Sequence, residues 1–142
     1  MAFILGFDAK LYYALNGVSG GTFIELTNCR DVTIALESGE SDVTTRASLG
    51  FREMVPTLHS GAIDFEMVAD PTDQGYIDFK TAWLARQILG IRFLDKVQPD
   101  GSGFEGDYCI FKFSRAEPVD GVQMISVSIK PTRGTTHIQQ VA

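Results

Sequence analysis

The sequence predicts a mainly β fold, an antiparallel β-sandwich or barrel with one flanking α-helix at about residues 74–89. Three observations predict it. Short segments repeatedly alternate apolar and polar residues, the two-residue period of strands with one wet face. One segment alone carries a broad apolar stripe at helical spacing, with start and stop residues at its ends. A long polar stretch, Glu37 to Ser48, has no apolar period and reads as a loop; long loops in compact domains are usually functional or disordered.

Taken in order, Lys10 to Leu15 is aromatic and alternating and reads as a strand. Asn16-Gly17 and Ser19-Gly20-Gly21 make a turn, and Thr22 to Leu26 is a second short strand. Val32, Ile34 and Leu36 alternate with Thr33, Ala35 and Glu37. Phe51 to Val55 looks like strand, with Pro56 breaking it or placing it at an edge. Ile63, Phe65 and Met67 alternate with Asp64, Glu66 and Val68.

The helix opens at Pro71-Thr72-Asp73, where Thr72 or Asp73 can cap it. It carries Tyr76, Phe79, Ala82 and Trp83 on one side and runs from Gln74 to Leu89, with Gly90 as its left-handed terminal residue. Ile91 to Asp95 is then strand, and Gln98 to Gly106 a loop. Tyr108 to Ser114 and Val122 to Lys130 are strands, the last ended by Pro131. Thr132 to Ala142 lacks a core pattern and reads as a tail.

A length of 142 residues fits one domain, 1–142. There are 18 acidic against 12 basic residues, a net charge of -6. Such a chain is poorly suited to gripping phosphate, which depends on Lys and Arg. It suits a surface past which nucleic acid slides without sticking. No apolar run approaches the roughly 18 residues a membrane helix needs, and the start lacks a basic leader, so no membrane partner is expected. Cys29 and Cys109 have no metal or CxxC spacing; free thiols are expected, although a disulfide is open on sequence grounds.

Candidate chemistry is thin. Gly101-Ser102-Gly103-Phe104-Glu105-Gly106 matches G-x-G-x-x-G, but a strand rather than a helix follows, so it reads as a loop and not a dinucleotide site. Asp70 to Gly75 resembles a calcium loop, yet Thr72, Gln74 and Thr81 stand where ligands belong, so helix capping fits better. His59 and His137 lack metal spacing, and no serine sits in a nucleophile elbow. No cofactor, metal site or catalytic residue is expected. Asp64 and Glu66 share a strand face; paired carboxylates can serve glycoside hydrolysis, but a solvated face is the simpler reading. Tyr76, Phe79 and Trp83 read as helix-to-sheet packing or an interface rather than a carbohydrate platform.

Several stretches in order, Cys29-Arg30-Asp31-Val32-Thr33, Asp42-Val43-Thr44-Thr45-Arg46, Pro56-Thr57-Leu58, Ile63-Asp64-Phe65-Glu66-Met67 and Ser126-Val127-Ser128-Ile129-Lys130-Pro131-Thr132, resemble phage tail tube proteins, as do Asp70 and Asp73 before the helix. The family shares its fold with type VI secretion and contractile-tail tubes. The resemblance implies a non-enzymatic virion protein, made in the bacterial host cytoplasm. It implies hexameric rings stacked head to tail into a tube with an acidic lumen, which conducts DNA during ejection without binding it specifically. Its partners would be further copies of itself and other tail proteins, such as terminator and distal tail proteins. Lumen candidates are Asp64, Glu66, Thr33, Ser126 and Ser128. Ring-stacking candidates in the polar loop are Glu40, Asp42 and Arg46. Residues 1–8 and 132–142 are candidate assembly arms. A carbohydrate- or ligand-binding β-sandwich, with Trp83 and Tyr76 facing solvent, is the alternative.

Overall fold

A computed structural model describes residues 5–6, 9–20, 22–96, 101–132 and 137–141. Its elements are β1 (Lys10–Leu15), β2 (Ile24–Glu25), β3 (Cys29–Asp42), β4 (Met54–Val68), α1 (Gln74–Ala85), β5 (Leu89–Leu94), β6 (Gly103–Ala116), β7 (Met124–Pro131) and β8 (Gln139–Val141). The strands form one antiparallel sheet in the order β2-β1-β5-β6-β7-β4-β3, with β8 beside β6.

The long strand β6 turns this sheet into a sandwich. Its first half, Gly103 to Tyr108, pairs with β5, and its second half, from Tyr108 to Ala116, pairs with β7. A register shift between Ile110 and Lys112 leaves Phe111 as the extra residue, and such bulges bend a strand. The two halves therefore share one core. Leu11, Tyr13, Leu89, Ile91 and Phe93 come from β1 and β5; Ile63, Phe65, Met67, Ile125, Val127 and Ile129 come from β4 and β7. In β4 and β7 these are alternate residues, so the sequence period identifies the buried face.

α1 packs on this core. The Tyr76 N–H donates to Asp73 Oδ2 at 3.0 Å, so Asp73 caps the helix as its residue type suggests. Asp73→Ala is expected to lower stability by about 1 kcal/mol, read as a fall in the urea midpoint at unchanged slope. Fully buried Phe79 meets the Tyr13 ring edge-on at 5.3 Å and the Phe65 ring at 5.7 Å.

The helix ends about a turn earlier than its composition predicts. Arg86, at φ 56° and ψ 39°, takes the left-handed position, and the Gln87 N–H donates to the Ala82 carbonyl at 3.0 Å. Gly90 instead lies in β5. A Cβ there would come within 2.5 Å of the Val18 nitrogen, so this glycine serves close packing under the Gly17–Val18 turn. Trp83, expected at the packed face, is 43% exposed.

The expected loop at 37–48 is partly strand. Glu37 pairs with Ser60, Ser38 with His59, Glu40 with Pro56 and Asp42 with Met54, so β3 and β4 form a long projecting hairpin. Alternation fails to mark it because both its faces are exposed over residues 37–42 and 54–60. Pro56 is tolerated because β7 pairs with β4 only from Ile63 onward, leaving that edge without a ladder.

The hairpin tip, 43–53, is built by its own side chains. The Thr44 N–H donates to Asp42 Oδ1 at 2.9 Å, and the Glu53 N–H to Thr44 Oγ1 at 2.8 Å. Thr45 and Ser48 form a reciprocal capping box around a short 3₁₀ turn. Leu49 and Gly50 both take positive φ, and Leu49 is 84% and Phe51 75% exposed.

The G-x-G-x-x-G segment holds no helix start; its residues from Gly103 lie in β6. Of the expected tail, residues 133–136 and 142 lie outside the described residues. Gln139–Val141 folds back as β8 on β6. Ile138 packs against the core, and its Cδ1 fills the space a Cβ on Gly61 would need. Gln139 Nε2 donates to Glu105 Oε1 at 2.7 Å, and Arg92 donates to Glu105 Oε2 through Nε and a terminal nitrogen at 2.9 and 2.6 Å. The N-terminal candidate arm, 1–8, lies outside the described residues except for 5–6.

Candidate functional site

Strands β3, β4, β7 and the second half of β6 lie side by side, and alternation sends one face to the core and the other outward. On the outward face the register places Thr33, Asp64, Ser128 and Lys112 in one cross-strand row. Arg30, Glu66, Ser126 and Ser114 form the next. All five residues read as lumen candidates are thus neighbours on one sheet face. The Ser128 hydroxyl donates to Asp64 Oδ1. Asp64 is exposed and Glu66 half-buried, so the carboxylates are not sealed in the core.

The sequence reading overlooked the bases on this face. Lys112 and Arg30 stand in the two carboxylate rows, and Lys130 follows Ser128 by alternation, its Nζ 5.7 Å from the Phe111 ring centroid. Cross-strand pairing, which links residues far apart in the chain, is the information a linear reading lacks. The face is polar and mixed in charge.

Two edges of this four-strand segment carry no backbone ladder among the described residues. One is the outer edge of β3, which pairs only with β4; the other is the second half of β6 on the side away from β7. Val32, Ile34, Leu36 and Phe111 are exposed apolar residues along these edges. Open edges with apolar side chains are templates for pairing with another chain.

Where the hairpin leaves the sandwich there is a cavity of about 480 Å³. Its apolar lining is Leu36, Phe104, Pro131 and Ile138, and Glu37, Ser38, Ser60 and both histidines complete it. Ser38 Oγ lies 2.6 Å from His59 Nδ1. Among the described residues no group of three or more His, Cys, Asp or Glu side chains could hold a metal ion. Glu40, Asp42 and Arg46, read as stacking residues, are exposed on the outer hairpin and its tip. Hydrogen bonds from the Thr44 hydroxyl and N–H hold the Asp42 carboxyl below its ordinary range. On the helix, Tyr76 is buried while Trp83 is half-exposed, so the two do not form a shared stacking platform.

Cys29 and Cys109 are unpaired, and burial raises the Cys29 thiol above its ordinary value. Tyr108 is fully buried beneath Gly61, and its hydroxyl has no hydrogen-bond partner among the described residues. Burial alone pushes that phenol up to about 12 from 10.0. Tyr13 is raised too, first by burial, then by its 2.6 Å hydrogen bond to Asp78 and the nearby carboxylates of Asp78 and Asp73. A phenol raised in the folded state adds stability below its unfolded pKa and loses it as pH climbs toward the folded value. Stability should therefore fall between about pH 10 and 12. Tyr108→Phe removes an orphaned hydroxyl, so it is expected to gain about 1 kcal/mol at neutral pH and to shrink the alkaline loss, measured by urea unfolding across that pH range.

A family model described as phage tail tube protein matches residues 6–132. Comparison with curated proteins returns no match. Among solved structures, the chain resembles the tail of an empty gene transfer agent particle solved with C6 symmetry, at TM-score 0.78 and 17% identity, covering 97% of this chain and 98% of that one. It also resembles the SPP1 tail tube, at TM-score 0.77 and 15% identity, over 99% of this chain and 80% of that one. A chain from the baseplate of the anti-feeding prophage matches at TM-score 0.66 and 6% identity, over 100% and 97%. At these identities the structures establish likeness of fold; the family model, spanning most of the sequence, establishes kinship. The chain belongs to the phage tail tube protein family, as a structural subunit of the tail tube.

Proposed function

We propose that this subunit forms hexameric rings that stack head to tail into a hollow tube, with the outward face of β3, β4, β7 and β6 lining a bore that conducts DNA during ejection. The observation that carries the reading is a polar sheet face flanked by two edges that are unpaired among the described residues, in a tube-family subunit. Pairing the β3 edge of one copy with the β6 edge of the next satisfies both and closes a continuous inner barrel, which removes edges altogether. Six-fold symmetry is supported by the C6 tail among the structural relatives.

In a ring each side chain becomes a belt. Asp64 and Glu66 then repeat around the bore with Thr33, Ser126 and Ser128 between them. Arg30, Lys112 and Lys130 stand among them, so the lining is better described as carboxylate belts interleaved with bases than as uniformly acidic. Two carboxylates stand against these three bases on the sheet face, so Asp64 and Glu66 offset much of the bases' attraction for phosphate. The hairpin, with Glu40, Asp42 and Arg46, reaches the adjacent ring. Terminator and distal tail proteins would cover the tube's two open ends.

Sedimentation velocity over a concentration series tests the reading. Rings of six and larger stacks should grow in with concentration; one monomeric species at every concentration and salt level would count decisively against it.

A further inference from the structure

We propose that the hairpin tip of one subunit seats in the cavity at the hairpin base of another, with Phe51 and Leu49 entering it and Arg52 facing Glu37. This rests on the tube reading and names the receiving site for the stacking hairpin.

The tip is a preformed apolar knob. Five residues, Asp42, Thr44, Thr45, Ser48 and Glu53, fix it through local hydrogen bonds, and that scaffold holds Leu49 and Phe51 out in solvent. Fixing a turn in advance lowers the entropy lost on docking, so a rigid turn that displays two large apolar side chains suits a contact surface. Arg46 and Arg52 flank the knob, and neither has an ion-pair partner among the described residues.

The cavity offers a receiving surface. Its volume of about 480 Å³ falls within the range of ordinary binding pockets, and it offers Leu36, Phe104, Pro131 and Ile138 to an apolar side chain. Glu37 lines it and supplies a charge opposite to that of Arg52.

The tip that enters comes from a second copy, not from the same chain. The hairpin ladder is continuous from Ser38 and His59 at the cavity to Asp42 and Met54 below the tip, apart from one bulge. Four residues of extended strand separate the two levels by roughly 13 Å, and the tip extends further, so a paired ladder cannot fold its own knob back into its own hole. Knob and hole are different patches, so the contact is heterologous and propagates instead of closing on itself. That is the symmetry a growing tube requires.

The test is cross-linking in assembled tubes. Phe51→Cys and His137→Cys are combined and treated with a short bismaleimide, with each single variant as a control for Cys29 and Cys109. A ladder of linked subunits in the double variant alone is expected. A charge exchange gives a second readout: Arg52→Glu and Glu37→Arg should each reduce tube yield about tenfold, and the pair should recover most of it. Intact tubes without the ladder overturn the proposal, as do charge reversals that fail to rescue each other, including where the cysteine variant does not assemble. If the wild-type chain forms neither rings nor tubes, the tube reading itself falls.

Discussion

Phe79→Ala is expected to destabilise the subunit by about 3–5 kcal/mol, a large part of the 5–15 kcal/mol typical of a domain. Phe79 is fully buried, and its ring bridges the two halves of the sandwich by touching Tyr13 of β1 and Phe65 of β4 edge-on. Removing it leaves a void bounded by two strands and a helix, which cannot all close in together. α1 would lose its main anchor, with Tyr76 and Ala82 left to hold it. Urea unfolding followed by circular dichroism should show the midpoint fall sharply. A change below about 1 kcal/mol would mean that α1 packs differently from the arrangement described.

The second large effect concerns the proposed bore. Asp64→Asn with Glu66→Gln should leave ring and tube formation unchanged, because both residues lie on the face away from the core. It should also make assembled tubes retain DNA. The substitutions leave Arg30, Lys112 and Lys130 on a face that has lost both neighbouring carboxylates, and the proposed ring would repeat that imbalance around its bore. Phosphate adhesion of this kind weakens steeply with salt, since counterions compete for the same charges. Retention of a short duplex by the variant tubes, lost again at high salt and absent from wild-type tubes, is the expected pattern. Equal retention by both would place these carboxylates away from the DNA path.

Much of the fold was legible because burial has a period. Ile63, Phe65 and Met67 in β4 and Ile125, Val127 and Ile129 in β7 alternate with polar residues, and those positions are the core. Asp73 declared the helix start by its chemistry, and it caps. The outer hairpin was hidden for the converse reason: with water on both faces, Glu37 to Asp42 have no period to display. The helix stops short of Gly90, which answers a steric demand from Val18, a residue far away in the sequence, and does not serve as a terminator. β8 was missed because three residues are too few to show a pattern.

The candidate surface divides in the same way. Thr33, Asp64, Glu66, Ser126 and Ser128 were grouped from alternation and family likeness, and the register does bring them together. Their basic neighbours depend on which strands pair, and only the folded sheet reveals that. The cavity unites residues from near 37, 59, 104 and 138, which no local motif could have joined.

A cryo-EM reconstruction of the assembled protein, at a resolution that traces side chains, decides which sheet face lines the tube. The expected map is a six-fold tube in which the β3 edge meets the neighbouring β6 edge and Asp64, Ser128 and Lys112 point into the bore. A tube whose bore is lined by another face, or a particle in which those two edges remain unpaired, would contradict it.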